Sequence, residues 1–383
     1  MGNQGSENQA AAWAEINLSN LLKNLHIIKE YVGKNTDIGA VVKADAYGLG
    51  AKEIVKALCK ENSIKMFIVG KISEAEEILP FVNGKPILVL DRMNMAGMEG
   101  VGEQQVLYSA YDLEFMQELE LLGEKENKIF QVHVRLDLWG SGMGFLPEDI
   151  GEEMFSFPHV QVRGIYTHLH SSYQFDWERN EQELCRFDGA LEKLPEQIRK
   201  GLTIHAQNSP LIFTHPNHNY NMVRSGTALY GLPCHPQKTY GLTPLLSLKS
   251  RIVNITKLKE ECPLSYQQQR GSKNLEIARF LFGYWDCPFL MTQDNVKVWI
   301  NGKVYSVADE PCMDSTCIDL EDGEVSIGDE VILMGEKDGV RLREILSRHH
   351  IALVHSEHLY IMSKRLKKIY GYCPQSTAAS GLD

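Results

Sequence analysis

The chain has 383 residues, of which 43% are hydrophobic and 23% are charged, a composition typical of globular proteins. The length suits two domains, or one large barrel with an appended domain. The formal net charge of −11 argues against nucleic acid or an anionic membrane as a partner. No apolar run approaches the ~20 residues that would span a bilayer.

The first two thirds of the chain alternate between short apolar runs and helical segments. Residues 1–12 are polar, and we expect them to form a disordered tail without a signal peptide. In segments such as AKEIVKALCKEN and ERNEQELCRFDGALEKL, apolar residues recur with the helical period. The strand-like runs are DIGAVVKA, KMFIVG, PILVL, QVLYSA, FQVHVRLD, VQVRGIYTHL, LTIHAQNS and YNMVRSGTALYG. Eight such repeats predict a (β/α)8 TIM barrel over residues 13–240.

After this region the pattern changes to short alternating runs separated by Gly, Asn and Asp. KVWI, KVYSVA and GDEVILMG are examples, and DGEVSIGDEVILMG is patterned like a hairpin. These runs predict a C-terminal β-rich domain over residues 241–383. The first predicted strand, residues 13–18, is a candidate to join the sheet of this domain.

Eight cysteines are scattered along the chain, and no two form a CxxC pair. Without an export signal, we expect reduced thiols in a cytoplasmic protein. His168 and His170 are the one close histidine pair on a predicted strand. One such pair is weak evidence for a metal site, and we predict that the chain has none.

The run AVVKADAYGLG ends its apolar stretch on Lys43. Barrel enzymes carry their chemistry at the C-terminal ends of the strands. A desolvated lysine amine there has a lowered pKa and can attack an aldehyde. From its position alone, a surface cap is the commoner role for a lysine at the end of a strand.

The stretch AVVKADAYG closely resembles the pyridoxal-phosphate lysine motif of the alanine racemase family. Other segments with the family's order and spacing are AWAEINLSNLLKNL, THLH, NSP, MVRSGTALYG, SYQQQ, GYWD, PCMD and IGDEV. Together they cover nearly the whole chain. The resemblance implies a barrel that holds pyridoxal phosphate and a β domain that reaches over a partner's barrel. It also implies a head-to-tail homodimer with shared active sites, acting on an amino acid or a derivative.

The resemblance assigns the catalytic roles to Lys43 and Tyr266. Lys43 would hold the cofactor covalently and move a Cα proton. Tyr266 would come from the partner subunit as the base on the opposite face, its pKa lowered by a His168–Arg224 relay. Arg224 would donate to the pyridine nitrogen and keep it unprotonated, because a guanidinium does not give up its proton.

The remaining cofactor contacts implied by the resemblance are Tyr47, His168, Asn208, Ser209, Gly226, Thr227 and Ser356. Asn208 and Ser209 form a short polar pair before a helical turn, which suits phosphate. Gly226 lets the backbone approach it. Simpler interpretations stay open: Tyr47 as a rim aromatic, His168 as a core histidine and Tyr266 as an ordinary strand residue.

The chain departs from the family on the substrate side. Gly142 stands where the family has the arginine that contacts the substrate carboxylate, and Arg135 stands where it has a carbamylated lysine. Ser356 replaces a tyrosine, which should open the pocket. The predicted substrate-binding residues are Arg135, Gly142, Tyr284, Met313 and Asp314.

An arginine–carboxylate clamp is among the stronger polar contacts, so its loss predicts a substrate other than alanine. We therefore expect a two-base amino-acid racemase or epimerase. A decarboxylase, β-eliminase or aldolase type of reaction, and a non-catalytic cofactor-binding homologue, stay open as alternatives.

Overall fold

A computed structural model gives the structure of the chain, and it describes residues 11–92, 105–215, 220–265, 270–291, 296–320, 323–337, 340–341 and 361–372. These residues form two compact units. One unit consists of residues 21–243, and the other combines residues 1–20 with residues 244–383.

The first unit contains a sheet of eight parallel strands in the order β8-β7-β6-β5-β4-β3-β2-β9. The strands are β2 (Asp37–Val41), β3 (Ile64–Val69), β4 (Ile87–Val89), β5 (Val106–Ala110), β6 (Phe130–Leu136), β7 (Val160–Thr167), β8 (Thr203–His205) and β9 (Met222–Ser225). Between the two end strands, the backbone N–H of Arg224 donates to the carbonyl of Gln207, just after β8, at 2.9 Å. The sheet therefore closes almost fully into a barrel, and the predicted (β/α)8 fold with a C-terminal β-rich domain is confirmed.

Helices connect the barrel strands. They are α1 (Leu18–Val32), α2 (Lys43–Tyr47), α3 (Ala51–Leu58), α4 (Ile72–Ile78), α5 (Leu113–Glu126), α6 (Trp177–Leu191), α7 (Glu196–Lys200) and α8 (Ser209–Thr214), with 3-10 turns at Leu79–Phe81, Pro147–Asp149 and Glu152–Phe155. Most follow the amphipathic pattern: α3, for example, buries Ile54, Val55 and Leu58. The exception is α2, whose residues after the first are left-handed.

Apolar side chains from neighbouring strands pack together inside the barrel. They form one cluster: Val41, Met66, Ile68, Leu88, Leu107 and Met222. These residues come from five neighbouring strands, as expected for a barrel whose interior is packed rather than hollow.

The second unit is built on a mixed sheet in the order β15-β14-β17-β10-β1-β20, in which β20 runs parallel to β1 and the other neighbours are antiparallel, and β13 pairs with both β10 and β16. Its elements are β1 (Ala12–Asn17), β10 (Leu246–Lys257), β13 (Glu276–Phe280), α9 (Pro288–Met291), β14 (Lys297–Ile300), β15 (Lys303–Ser306), β16 (Thr316–Asp319), β17 (Glu330–Met334) and β20 (Lys367–Gly371), with two-residue ladders β11 (Cys262–Pro263) to β12 (Arg270–Gly271) and β18 (Glu336–Lys337) to β19 (Val340–Arg341). The first strand, β1, lies between β10 and β20.

Two local predictions in these units were wrong. The first barrel strand ends at Val41, so Lys43 begins the following turn instead of ending the strand. The stretch around Glu330–Met334 is one strand that pairs with β10 and β14, not half of a local hairpin. The hairpin in this sheet is β14–β15, whose connecting Asn301 and Gly302 both have the positive φ that a tight hairpin turn needs.

Candidate active site

Lys43 stands at the C-terminal rim of the barrel, directly before a run of left-handed backbone. Ala44, Asp45, Ala46 and Tyr47 have φ values of 53°, 55°, 52° and 60°. Each such residue other than glycine costs about 1–2 kcal/mol, so the surrounding structure must hold the run in place. Lys43 itself is exposed, and its side chain is therefore accessible from the rim.

Hydrogen bonds from outside the run hold it. The Ala44 N–H donates to the Glu74 carboxylate at 2.7 Å, and the same carboxylate accepts the Gly70 N–H at 2.8 Å. The Asp45 carboxylate accepts the N–H of Ala51 at 2.8 Å, which ties the run to the start of α3. Glu74 was not singled out in the sequence, yet it connects the lysine turn to the end of β3.

Tyr47 lies against Gly226, so two of the predicted cofactor-binding residues are neighbours at the rim. A Cβ atom on Gly226 would lie 2.6 Å from the Tyr47 hydroxyl and 3.2 Å from the Val41 Cβ, so a larger residue there would displace the Tyr47 ring. Tyr47 also packs edge-to-face on Tyr230, with ring centroids 5.1 Å apart. The Tyr230 hydroxyl donates to the carbonyl of Val41 at 2.7 Å, which anchors the aromatic pair to β2.

Ser209 and Gly226, which follow β8 and β9, meet at the rim. The Ser209 hydroxyl oxygen accepts the N–H groups of Gly226 at 3.2 Å and Ala228 at 3.1 Å. Its own proton is therefore available to donate to an anion. The Asn208 amide donates to Ser172, whereas its Oδ1 is buried without a partner among the described residues. The Thr227 and Tyr173 hydroxyls lie 2.6 Å apart.

Arg224 is buried beneath these groups with a fixed guanidinium. Nη1 donates to the carbonyl and to Nδ1 of His205, both at 3.0 Å, and Nη2 donates to the carbonyls of Thr167 at 2.7 Å and Ala206 at 3.1 Å. Burial lowers the pKa of Arg224 to about 10, which leaves it charged at neutral pH. No hydrogen bond within the described part of the chain uses its Nε–H, which is left as a donor.

A pair of buried histidines supports Arg224. Because a guanidinium only donates, His205 Nδ1 accepts from it, so the proton of His205 lies on Nε2 and is donated to His133 Nδ1 at 2.8 Å. Burial, and then the positive charge of Arg163, lowers the pKa of His133 to about 3, and burial with Arg224 lowers that of His205 well below its usual value. Both rings are therefore neutral at pH 7.

The predicted His168–Arg224 relay is corrected by this arrangement. The histidine bonded to Arg224 is His205, whereas the His168 ring contacts His170 with centroids 5.6 Å apart. His168 lies at the rim after β7 and reaches solvent. The protein atoms around it, and then the charge of Arg224, lower its pKa. His168 is thus a neutral ring beside the site.

Arg135 points into the barrel from β6, in the same inward phase as His133. Its Nη1 donates to the Tyr111 hydroxyl at 2.7 Å, and that hydroxyl donates to the carbonyl of Leu90 at 2.6 Å. The guanidinium also lies over the Tyr111 ring, 5.1 Å from its centroid. Its Nε is buried without a partner among the described residues.

Gly142 lies in an exposed loop that is organised by Asp137 and not by Arg135. The Asp137 carboxylate accepts from the Gly140 N–H and the Ser141 hydroxyl at 3.0 Å, and from the Trp139 and Met143 N–H groups at 3.1 Å. Burial alone would raise the pKa of Asp137, but these bonds outweigh it and lower the pKa. Gly142 has φ 83°, and a Cβ atom there would meet nothing within 4 Å.

Tyr284, Met313 and Asp314 lie together in the second unit. The Tyr284 N–H donates to the Cys312 carbonyl at 3.0 Å, which pairs the two motif segments. Arg365, not singled out in the sequence, joins them further, with Nε 2.9 Å from Asp286 and Nη1 2.6 Å from Asp314. Tyr266 and Ser356 lie outside the described residues, so the structure does not place them.

A search of the described residues found no group of three or more metal-ligating side chains. No helix in the described ranges is long and apolar enough to cross a membrane.

Comparison with known proteins identifies the family. The family profile for the alanine racemase N-terminal domain matches residues 16–233, and that for the alanine racemase C-terminal domain matches residues 245–370. The chain belongs to the alanine racemase family. The members of this family are pyridoxal-phosphate-dependent isomerases.

Individual relatives agree with this assignment. "Alanine racemase 2" of Caldanaerobacter subterraneus subsp. tengcongensis is 30% identical over 370 residues, 94% of each chain. Alanine racemase of Clostridium difficile 630 has a TM-score of 0.84 at 29% identity, covering 95% of this chain and 96% of that one. Alanine racemase of Bartonella henselae, solved with covalently bound pyridoxal phosphate, has a TM-score of 0.81 over 94% of this chain and 99% of that one. Because it is 24% identical, it supports the fold alone.

Proposed function

We propose that this chain is a pyridoxal-phosphate-dependent amino-acid racemase or epimerase that acts on a substrate other than alanine. The observation that carries the proposal is the convergence of three kinds of group at one rim. These are an accessible amine on Lys43, an anion cradle at Ser209 and Gly226, and a fixed guanidinium on Arg224. When bound, pyridoxal phosphate supplies the electron-withdrawing system that acidifies a substrate Cα proton.

The described residues fit that cofactor. The Gly226 and Ala228 N–H groups donate to the Ser209 hydroxyl oxygen, which leaves the hydroxyl proton free for an anion, and the absence of a Cβ atom on Gly226 lets that anion approach the backbone closely. Asn208 Oδ1 is buried without a partner, so it has capacity for a hydroxyl or a protonated group of a ligand. The Nε–H of Arg224 is available as a donor to the ring nitrogen.

The bases are proposed from the resemblance together with position. Lys43, at the rim beside the cradle, would take or return the proton on one face. Tyr266 of the partner subunit would serve the other face in a head-to-tail homodimer. The cytoplasmic location expected from the sequence stays a prediction.

The substrate side supports a compound other than alanine. The position at which the family has its carboxylate-binding arginine is Gly142, exposed and surrounded by open space. Met313 and Trp285 are 42% and 55% exposed, so the second unit offers large apolar side chains near Tyr284 for contact with a substrate side chain. We propose that Tyr284, Met313 and Asp314 bind this larger substrate.

The first test is Cα-proton exchange in D₂O with the purified protein, pyridoxal phosphate and a panel of L- and D-amino acids that includes alanine. Exchange with inversion of a larger amino acid, clearly faster than that of alanine, is expected. Preference for alanine would contradict the substrate proposal. Loss of CO₂ or of a side-chain fragment would show a changed reaction, and bound cofactor without any exchange would show a binding protein.

Two variants test the catalytic roles. Lys43→Ala should abolish the long-wavelength absorbance of bound cofactor, whereas Tyr266→Phe should keep it and slow exchange from one enantiomer more than from the other. Because the proposed sites are shared, mixing the two inactive variants should restore activity through mixed dimers. Absence of recovery, with mixed dimers demonstrated, would contradict the shared site.

A further inference from the structure

Arg135 is a cation inside the barrel without a carboxylate partner. None of the ion pairs formed by the described residues includes it, and its Nη1 is hydrogen-bonded to a neutral phenol, that of Tyr111. Its positive charge acts on His168, Tyr166 and Arg224, so it lies within electrostatic reach of the proposed cofactor site. A partly buried guanidinium in this setting is ready to bind an anionic oxygen.

The order of the strands around the barrel determines which part of the cofactor faces Arg135. The phosphate cradle follows β8 and β9, Lys43 follows β2, and the Arg224 guanidinium is bonded to carbonyls at the ends of β7 and β8. In pyridoxal phosphate the ring nitrogen lies opposite the carbon that bears the aldehyde. The phosphate arm and the 3-oxygen flank that aldehyde on opposite sides.

A ring held at these three points has its phosphate side toward β8 and β9. Its 3-oxygen then faces the other arc, where β4, β5 and β6 end. The polar groups at the ends of these strands include the Arg135 guanidinium and the Tyr111 hydroxyl, which is itself fixed by the carbonyl of Leu90. Arg135 is the cation among them.

We propose that Arg135 binds the 3-oxygen of pyridoxal phosphate, with Tyr111 as the residue that positions its guanidinium. This inference rests on the proposed function, and it replaces the predicted contact of Arg135 with substrate by a contact with the cofactor. A cation beside the 3-oxygen stabilises its ionised form. The chain thereby compensates with Arg135 for the positive charge that is missing at Gly142.

The test follows the absorbance of the bound cofactor as a function of pH in the reconstituted holoenzyme, with cofactor Kd measured by equilibrium dialysis. Removing an opposite charge at 4–6 Å shifts a pKa by about 1–3 units. Arg135→Met should therefore raise the pKa of the spectroscopic transition by about that amount and weaken cofactor binding. Arg135→Lys should preserve most of the wild-type pKa, and Tyr111→Phe should give a smaller rise.

Arg186→Met is the matched control, because Arg186 is exposed and lies over the Trp139 ring, 4.5 Å from its centroid. It should titrate as the wild type does. If Arg135→Met titrates as the wild type does, the inference is wrong while the proposed function stands. If Arg135→Met does not fold, Arg135→Lys and Tyr111→Phe decide instead, and wild-type titration of both would have the same meaning. If the wild type itself shows no lysine-dependent cofactor absorbance, the proposed function fails first.

Discussion

Replacing Ala44 by glycine should stabilise this protein, which is the reverse of the usual effect of an Ala→Gly substitution. Ala44 is exposed and has φ 53° and ψ 49°. The left-handed conformation costs a residue with a Cβ about 1–2 kcal/mol, and glycine avoids that cost. Glycine loses about 0.5–1 kcal/mol more conformational entropy on folding. The difference is a gain of roughly 0.5–1 kcal/mol in the free energy of unfolding.

The assay is urea unfolding at matched protein concentration and saturating pyridoxal phosphate. Ala57→Gly makes the same chemical change inside the right-handed helix α3, where Ala57 is 7% exposed. That control should lose about 1–2 kcal/mol through entropy and the buried methyl group. The reasoning would be refuted if Ala44→Gly lowered the unfolding midpoint as much as Ala57→Gly does.

Three further predictions concern other parts of the structure. Gly164→Ala should cost about 1–3 kcal/mol in urea unfolding, because its Cβ would lie 2.6 Å from the His133 ring; an unchanged midpoint would contradict this crowding. The pKa of His133 is lowered to about 3, so between pH 3 and about 6.5 the folded state binds fewer protons than the unfolded state. The free energy of unfolding should therefore fall by about 1.4 kcal/mol for each pH unit of acidification in this range. In His133→Gln, the same plot against pH should have a shallower slope than in the wild type. Arg365→Met leaves the Asp286 carboxylate, which is 5% exposed, without its cation. This variant should have a lower thermal midpoint, and its KM should change more than its kcat. An effect on kcat alone would argue against a role for Arg365 in holding the segments that carry Tyr284 and Asp314.

Much of the barrel could be predicted because its signals are local. Alternating apolar runs and helical periods are properties of neighbouring residues, and the rim positions of Lys43, Ser209 and Gly226 follow from where those runs end. The placement of β1 beside β10 could be raised as a possibility, but a strand's partners depend on residues far away in the sequence.

The parts that could not be predicted depend on tertiary contacts. His133 and His205 look like ordinary strand histidines in the sequence. Only the register of β6 and β8 against β7 brings their rings together, and His205 then accepts from Arg224. The left-handed run after Lys43 contains alanine and tyrosine, which do not signal positive φ. Its conformation depends on Glu74, 30 residues further along the chain from Ala44.

The position of β1 affects how the chain is completed during synthesis. Trp13 pairs with Lys249 in an antiparallel ladder and with Lys367 in a parallel one, so the first described strand has the last described strand as a neighbour. At about 5–20 residues per second, it waits on the order of tens of seconds for that neighbour. During this time the barrel can fold and β1 can pair with β10, but the other edge of β1 has no strand to pair with. Nascent chains of this protein should therefore need protection by chaperones at the open edge of β1 until β20 has been synthesised.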